Sequence, residues 1–127
     1  PGRKLVLTGD TAPAASVVEA ATEADVLVHE ATFLADERER ARETSHSTAG
    51  EAALVAREAG VRMLALTHVS TRYFGHQVVE EARELFPATE VPRDFDVIEI
   101  PFAERGSPEL VRMGARSSRT GVVSVET

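Results

Sequence analysis

The sequence contains no cysteine, few aromatic residues and no long apolar run. The absence of cysteine excludes disulfides, Cys-ligated zinc, iron–sulfur clusters and a cysteine nucleophile. No apolar run approaches the about 20 residues that a membrane-spanning helix needs, so no membrane partner is expected. Aromatic residues make up 5% of the chain, too few to suggest a surface on which nucleic-acid bases stack. Because the absence of cysteine fits a reducing compartment, we expect a cytoplasmic protein.

Basic charge is also scarce, since 14 Lys and Arg stand against 21 Asp and Glu and the net charge is −7. A free-standing nucleic-acid-binding domain usually presents a basic face. Any contact with RNA or DNA must therefore come from a local site or from residues outside this chain. The 127 residues suffice for one hydrophobic core. The opening residues 1–4 have neither a Met nor the apolar stretch of a signal peptide, so we expect part of a longer protein.

Short apolar runs alternate with helical patterns along most of the chain. The runs predict buried strands at 5–7, 26–28, 63–66 and 95–100, and helices are predicted behind Pro13, at 49–59 and at 77–86. The charged segment 36–43 is predicted to be a solvated helix or a mobile loop. An edge strand at 110–113 is also predicted, and 115–127 is expected to be frayed. The alternation indicates an α/β fold of βαβ units with a mainly parallel sheet.

Titratable side chains follow three of the predicted strands. Asp10 follows the first strand, His29 and Glu30 the second, and His68 the third, while His46 precedes the helix that leads into the third. The carboxyl ends of parallel strands lie at one edge of a sheet, where α/β proteins bind their ligands. A carboxylate and up to three imidazoles can therefore converge there, a set suited to zinc first among metal ions.

Each of these residues also has a structural interpretation. Asp10 is typical of a turn or a helix cap, and a histidine at a strand end is typical of a hydrogen-bonded core residue. His29 and Glu30 can equally shape the tight turn that follows them, and His76 is interpreted as a structural or surface residue. From spacing alone, both interpretations stay open.

Four segments together carry a resemblance to a known family. They are 8–11 (Thr-Gly-Asp-Thr), 29–33 (His-Glu-Ala-Thr-Phe), 46–48 (His-Ser-Thr) and 66–73 (Leu-Thr-His-Val-Ser-Thr-Arg-Tyr). In this order the series resembles the C-terminal half of the ribonuclease Z family, the tRNA 3′-processing endonucleases of the metallo-β-lactamase superfamily. The resemblance runs from about residue 2 to residue 101. It implies half of an αββα sandwich with a mixed, locally parallel sheet.

The resemblance also implies roles for individual residues. Asp10 is similar to the aspartate that bridges two zinc ions, and His68 to the last histidine ligand. His46 is similar to the catalytic histidine that protonates the leaving 3′ oxygen without binding metal. Arg72 is similar to an arginine that contacts a substrate phosphate. His29 and Glu30 fall in a loop near the site, with a role that the resemblance does not settle.

The chain also departs from the family pattern. The family's zinc site needs an upstream His-x-His-x-Asp-His motif, which this sequence does not contain. We therefore expect a half domain at 1–103, a partly disordered tail at 104–127, and weak or absent zinc binding by the chain alone. The complete protein is expected to hold two zinc ions, to be a homodimer and to act on precursor tRNA.

Two other functions remain open from the sequence. The first is another hydrolase of the same superfamily, a lactonase or a phosphodiesterase acting on a small substrate. The second is a non-catalytic interaction module that packs on a partner and binds no metal. For Arg72 the structural alternative is a surface ion pair with Glu80 or Glu81.

Overall fold

The computed structural model describes residues 2–112 and 123–126, which form two sheets and four helices. The first sheet is parallel and contains, in spatial order, β1 (Leu5–Leu7), β2 (Val26–Glu30), β3 (Met63–Thr67) and β4 (Thr89–Glu90). In the second sheet, β5 (Val97–Ile100) lies between β6 (Glu109–Val111) and β7 (Val123–Glu126) and is antiparallel to both. The helices are α1 (Ala15–Ala21), α2 (Arg38–Glu43), α3 (Ala49–Ala59) and α4 (Gly75–Arg83), and 3-10 turns occur at Ala35–Glu37 and Ala103–Arg105.

Both faces of the central strands β2 and β3 are buried, because their alternate side chains enter two separate apolar clusters. Leu27 and Leu64 belong to the cluster that includes the alanines of α3. Val26 and Met63 pack instead with Ile98 of β5. The described chain therefore has three layers, helices on one face of the parallel sheet and the second sheet on the other. This arrangement confirms the predicted α/β fold and its parallel sheet. The edge strand β1 was predicted to be buried, but Leu5 and Leu7 are 37% and 64% exposed because β1 has a neighbour on one side only.

The start of α3 positions the segment that carries His46. Thr48 caps the helix, since its side chain accepts from the N–H of Glu51 at 3.1 Å while its own N–H donates to the Glu51 carboxylate at 2.9 Å. Five alanines of α3 are buried, which lets the helix approach the sheet closely. The helix ends at Gly60, whose φ of 70° lies in the left-handed region that glycine adopts without a steric penalty.

Several boundaries differ from the predicted ones. The last predicted helix ends at Arg83 rather than at residue 86, because the chain turns before Pro87, which disfavours helical geometry in the residue before it. The two-residue strand β4 was not predicted, since it is too short to show a pattern. Of the two alternatives for segment 36–43, the helix is observed. No helix within the described ranges has the length and apolar character to cross a membrane.

The segment expected to be a tail contributes two strands to the second sheet. Residues 109–111 and 123–126 pair with the two edges of β5, so residues 123–126, which were expected to be frayed, form a strand instead. The physical reason is that β5 has two open edges whose N–H and C=O groups need partners. The edge strand predicted at 110–113 is found at 109–111. The rest of the expected frayed segment, 115–122 and 127, lies outside the described residues, and the division after residue 103 stays a prediction.

Candidate functional site

The ends of three neighbouring parallel strands place side chains at one edge of the sheet. Strands β2 and β3 are in register to their last residues, where Glu30 pairs with Thr67. The next residue, His68, has a φ of 55°, an uncommon left-handed conformation for a side chain of this size. After β1 the chain turns at Gly9, with a φ of 66°, and presents Asp10. This left-handed turn and the left-handed His68 bring the two side chains toward each other.

Asp10, His46 and His68 form a group of potential metal ligands, one donor atom of each lying within 4.8 Å of the others. Nδ1 of His68 lies 3.8 Å from Oδ1 of Asp10. The rings of His46 and His68 stack with centroids 5.4 Å apart and planes 16° from parallel. The side chains of Asp10 and His68 are 62% and 55% exposed, whereas that of His46 is 20% exposed.

This donor set fits a zinc ion in chemistry and nearly fits it in spacing. Two imidazoles and one carboxylate are the ligand types that zinc takes in proteins without cysteine. Donor atoms at about 2 Å from one ion lie at most about 4 Å apart, so the spacing of up to 4.8 Å requires only small rotations. The exposed side chains of Asp10 and His68 have room for them. Three ligands leave a zinc site open to further ones.

The carboxylate of Glu30 is the hydrogen-bonding centre beneath this group. Its side chain is 1% exposed, yet both of its oxygens accept hydrogen bonds. The donors come from three segments of the chain and lie within 3.1 Å: they are the N–H groups of Thr11, Thr32 and Ser47, the hydroxyl of Thr32 and Nδ1 of His46. The arrangement compensates the cost of burying a carboxylate. It also fixes the position of the His46 ring.

His29 does not join the metal-ligand group. Its side chain is fully buried and Nδ1 lies 2.8 Å from the backbone oxygen of Glu30. Within the described part of the chain, Nε2 has no hydrogen-bond partner. Burial lowers the pKa of the imidazole below its ordinary value, against the smaller opposing effect of the hydrogen bond to Glu30. Two imidazoles therefore converge rather than three, and His76 lies elsewhere, exposed and stacked on Phe74.

A cleft of about 470 Å³ adjoins His68 and contains two arginines, Arg40 and Arg72. Nη1 of Arg72 lies 2.7 Å from Oε1 of Glu37, so its ion pair is with neither Glu80 nor Glu81. The neighbouring Tyr73 donates its hydroxyl proton to Asp36 at 2.9 Å. Partial burial, and then this hydrogen bond, raise the pKa of Tyr73. These two contacts join the loop after His68 to the segment before α2.

Three residues of the site had no predicted role. Thr32 contacts Glu30 and both histidine rings, Ser47 donates to Glu30, and Arg40 lines the cleft with its guanidinium 5.9 Å from the centre of the Phe33 ring. Thr32 and Ser47 could have been found from the sequence, because they lie beside titratable residues in segments 29–33 and 46–48. Arg40 lies in the almost wholly charged segment 36–43, where no sequence pattern distinguishes it from the other arginines.

Comparison with known proteins agrees with this fold. No family model matches the chain. It is 51% identical over 107 residues to ribonuclease Z of Haloferax volcanii, covering 82% of this chain and 34% of that protein. It is 59% identical over 88 residues to ribonuclease Z of Haloarcula marismortui, covering 68% of this chain and 28% of that protein. The chain thus spans about a third of the length of the curated relatives it matches.

Solved structures show the same relationship. The metallo-β-lactamase fold protein YhfI of Bacillus subtilis superposes with a TM-score of 0.66 and 28% identity, covering 70% of this chain and 36% of that one. The short form of human tRNase Z superposes with a TM-score of 0.59 and 32% identity, covering 74% of this chain and 32% of that one. The layers are thus those of part of a metallo-β-lactamase fold. Within that class, the chain belongs to the ribonuclease Z family.

Proposed function

We propose that the complete protein is a zinc-dependent endoribonuclease that removes the 3′ trailer from precursor tRNA. This chain contributes part of the active site. The observation that carries the proposal is the meeting of Asp10, His46 and His68 beside a cleft that holds two arginines. A metal-ligand group next to guanidinium donors suits a phosphodiester substrate, since arginine pairs with phosphate through two parallel hydrogen bonds.

Asp10 and His68 are the residues that would hold zinc in this part of the site. When bound, zinc lowers the pKa of an attacking water toward about 7 and stabilises charge on the phosphoryl oxygens. Both side chains are exposed at the same edge of the sheet, and their donor atoms are free to approach an ion from one side. The further ligands would come from the His-x-His-x-Asp-His motif that the family resemblance places upstream. The complete enzyme would hold two zinc ions.

His46 would act as the proton donor to the leaving 3′ oxygen. Its Nδ1 atom is held by the Glu30 carboxylate at 3.0 Å, so the proton on Nε2 is the one free to be transferred. A ribose 3′ alkoxide leaves poorly unless it is protonated in the transition state, and histidine can supply that proton near neutral pH. The products would be a tRNA with a free 3′-hydroxyl and a trailer with a 5′-phosphate.

The two arginines would bind substrate phosphates next to the cleaved bond. Arg72 lies four residues after His68, and Arg40 faces the same cleft from α2. This local positive charge offers a contact for RNA in a chain whose net charge is −7. The part of the protein outside this chain would supply the remaining contacts to tRNA. The complete protein would act as a homodimer in the cytoplasm.

The test compares this chain with the complete protein on a precursor tRNA, with zinc content measured for both. We expect cleavage and zinc in the complete protein, and weak or no zinc binding and no cleavage by this chain. A small lactone and a nitrophenyl phosphodiester serve as control substrates. If the complete protein hydrolyses the lactone and leaves precursor tRNA intact, the superfamily hydrolase is the correct function.

Two further outcomes bear on the alternatives. Tight, stoichiometric zinc in this chain after dialysis against a mild chelator would show that His46 or His29 is a ligand and that the site is more complete than proposed. A complete protein that holds no zinc and cleaves none of the substrates would favour a non-catalytic interaction module.

A further inference from the structure

The hydroxyl of Thr32 lies between the Glu30 carboxylate and the two stacked histidine rings. Its Oγ1 atom is 2.7 Å from Oε2 of Glu30, 2.8 Å from Nδ1 of His68 and 3.3 Å from Nδ1 of His46. The side chain is buried, since Thr32 is 8% exposed. Thr32 is thus in contact with a potential metal ligand, a potential proton donor and the carboxylate that holds the proton donor.

The number of protons available decides the direction of these hydrogen bonds. A hydroxyl has one proton to donate, and an ionised carboxylate can only accept. The Glu30 carboxylate has no proton to donate, so the hydrogen bond of 2.7 Å between it and Oγ1 takes the hydroxyl proton. Oγ1 can then act toward His68 only as an acceptor, which requires His68 to carry its proton on Nδ1. In the neutral ring, Nε2 is then the nitrogen with a free lone pair.

We propose that Thr32 is a positioning residue that holds His68 as its Nδ1–H tautomer and so presents Nε2 as the metal-binding atom. The proposal rests on the proposed function, because the choice of nitrogen matters only if His68 binds a metal. Hydrogen bonds to the second ring nitrogen set the tautomer and orientation of ligand histidines in metal sites generally. In this chain, the hydrogen-bond partner of Nδ1 of His68 is the hydroxyl of Thr32, which is itself hydrogen-bonded to the Glu30 carboxylate.

The backbone conformation of His68 is held by contacts with the segment around Thr32. His68 occupies the left-handed region, which a residue with a β-carbon adopts only when its surroundings hold it there. Two backbone hydrogen bonds also join the segment around Thr32 to the segment around His68, from Ala31 N to Thr67 O at 2.9 Å and from Ser70 N to Thr32 O at 3.2 Å. These bonds do not involve the Thr32 side chain. A valine at residue 32 therefore preserves the shape and backbone pairing of the site while removing the hydroxyl.

The first measurement is the tautomer of His68 in the metal-free complete protein, read from the ¹⁵N chemical shifts of its ring at a pH where the ring is neutral. The signal is assigned by its disappearance in His68→Gln. We expect a protonated Nδ1 in the unmodified protein and a mixture of tautomers in Thr32→Val. Thr32→Ser, which keeps the hydroxyl, should restore Nδ1–H. An unmodified protein with its proton on Nε2 overturns the proposal without any variant.

The second measurement is zinc affinity by competition with a chelator. Loss of a hydrogen-bond partner behind a ligand histidine typically weakens metal binding about 10- to 100-fold, which we expect for Thr32→Val and not for Thr32→Ser. The matched control is Thr89→Val, which removes a buried hydroxyl bonded to the backbone oxygen of Phe86, away from the site. Equal zinc affinity in Thr32→Val and the unmodified protein would contradict the proposal. A protein that cleaves no precursor tRNA refutes the proposed function, while the ring shifts still decide the role of Thr32.

Discussion

Oε1 of Glu30 lies 3.0 Å from Nδ1 of His46 and 2.9 Å from the backbone nitrogen of the next residue, Ser47. One buried oxygen therefore fixes both the ring of His46 and the chain that carries it. The same carboxylate also binds residues 11 and 32, which belong to the loops after β1 and β2. The stability of these loops and the geometry of the candidate site thus depend on the same group.

The substitution Glu30→Gln should therefore destabilise the protein and abolish cleavage together. Both carboxylate oxygens face donors, so an amide must place its NH₂ group against N–H or O–H groups on one side. Breaking a buried charged arrangement of this kind costs about 3–5 kcal/mol. In the complete protein we expect a loss of this size in the free energy of unfolding, measured by urea denaturation, and no measurable cleavage of precursor tRNA.

Glu81→Gln provides the control for that substitution. The Glu81 carboxylate accepts from the N–H groups of Ala35 and Gly50 at 2.8 and 2.9 Å, but it lies outside the site and is more accessible to water. We expect a smaller loss in the free energy of unfolding, about 1–2 kcal/mol, with cleavage of precursor tRNA retained by the complete protein. If Glu30→Gln is as mild as Glu81→Gln in both measurements, Glu30 is not the centre of the site.

Substitutions of Asp10 and His46 should separate metal binding from proton transfer. In the complete protein, Asp10→Ala should lose zinc and cleavage together, because a zinc ligand is gone. His46→Ala should keep zinc and lose turnover, because a proton donor acts only in the transition state. Zinc content by elemental analysis and single-turnover cleavage measure the two effects.

The same pair of variants can also contradict the assignment. His46 lies within the group of potential ligands, with a donor atom within 4.8 Å of those of Asp10 and His68. If His46→Ala removes zinc as completely as Asp10→Ala, His46 is a ligand and some other group protonates the leaving oxygen. Asp10→Asn, which keeps one oxygen donor, should fall between the two alanine variants in zinc affinity.

Part of the site follows directly from the sequence. Residues at the ends of successive buried strands are predictable because parallel strands end at one edge, and this rule places Asp10, Glu30 and His68. The rule does not distinguish a side chain that faces the site from one that turns into the core. His29 and Glu30 are adjacent, yet only the Glu30 side chain joins the hydrogen-bond network of the site.

Other contacts of the site depend on the folded chain. The contacts of Arg72 with Glu37 and of Thr32 with His68 join residues 35 and 36 positions apart. No local pattern encodes such pairs, since they arise from how two loops meet. For Arg72 the sequence suggested acidic partners on α4, whereas the observed partner precedes α2.

The fold divides in the same way between predictable and unpredictable parts. The strands β2 and β3 and the helix α3 are long, strongly patterned and flanked by clear end signals, and all three are predicted to within two residues. Strand β6 is predicted to within two residues as well, but β4 has only two residues and β7 lies in a segment rich in polar residues, and neither is predicted. These strands form because the edge of a neighbouring strand is available, which is a property of the assembled sheet.

The buried histidine His29 should make stability depend on pH below neutrality. Burial lowers the pKa of the folded imidazole, whereas the unfolded chain keeps the ordinary value of about 6.5. Above pH 6.5 neither state holds the proton and stability is at its full value. As the pH falls below 6.5, the unfolded chain takes up the proton first, so the free energy of unfolding decreases until the folded pKa is passed.

We therefore expect the urea midpoint to fall between pH 6.5 and 5, and this fall to be smaller in His29→Gln. His76→Gln is the matched control, because its exposed ring is in contact with water in both the folded and the unfolded chain. A slope that is unchanged in His29→Gln, or equally reduced in His76→Gln, would assign the pH dependence to other groups.

The ion pair between Arg72 and Glu37 bears on whether Arg72 binds a substrate phosphate. Arg72→Ala in the complete protein should cost about 1.5–3 kcal/mol in kcat/KM on precursor tRNA, the loss of a charged hydrogen bond, and Arg72→Lys should recover only part because lysine lacks the planar fork. The loss should be much smaller on a nitrophenyl phosphodiester, which has no distal phosphates, and zinc content should not change.

Because Glu37 lies 2.7 Å from Arg72 and competes with phosphate for it, Glu37→Gln should raise kcat/KM up to about fivefold at low salt, the range of an exposed ion pair. If Glu37→Gln instead lowers activity as much as Arg72→Ala does, the pair serves to hold the loop after His68, and Arg72 is a structural residue. Equal losses in Arg72→Ala on both substrates would place the guanidinium at the cleaved phosphate itself.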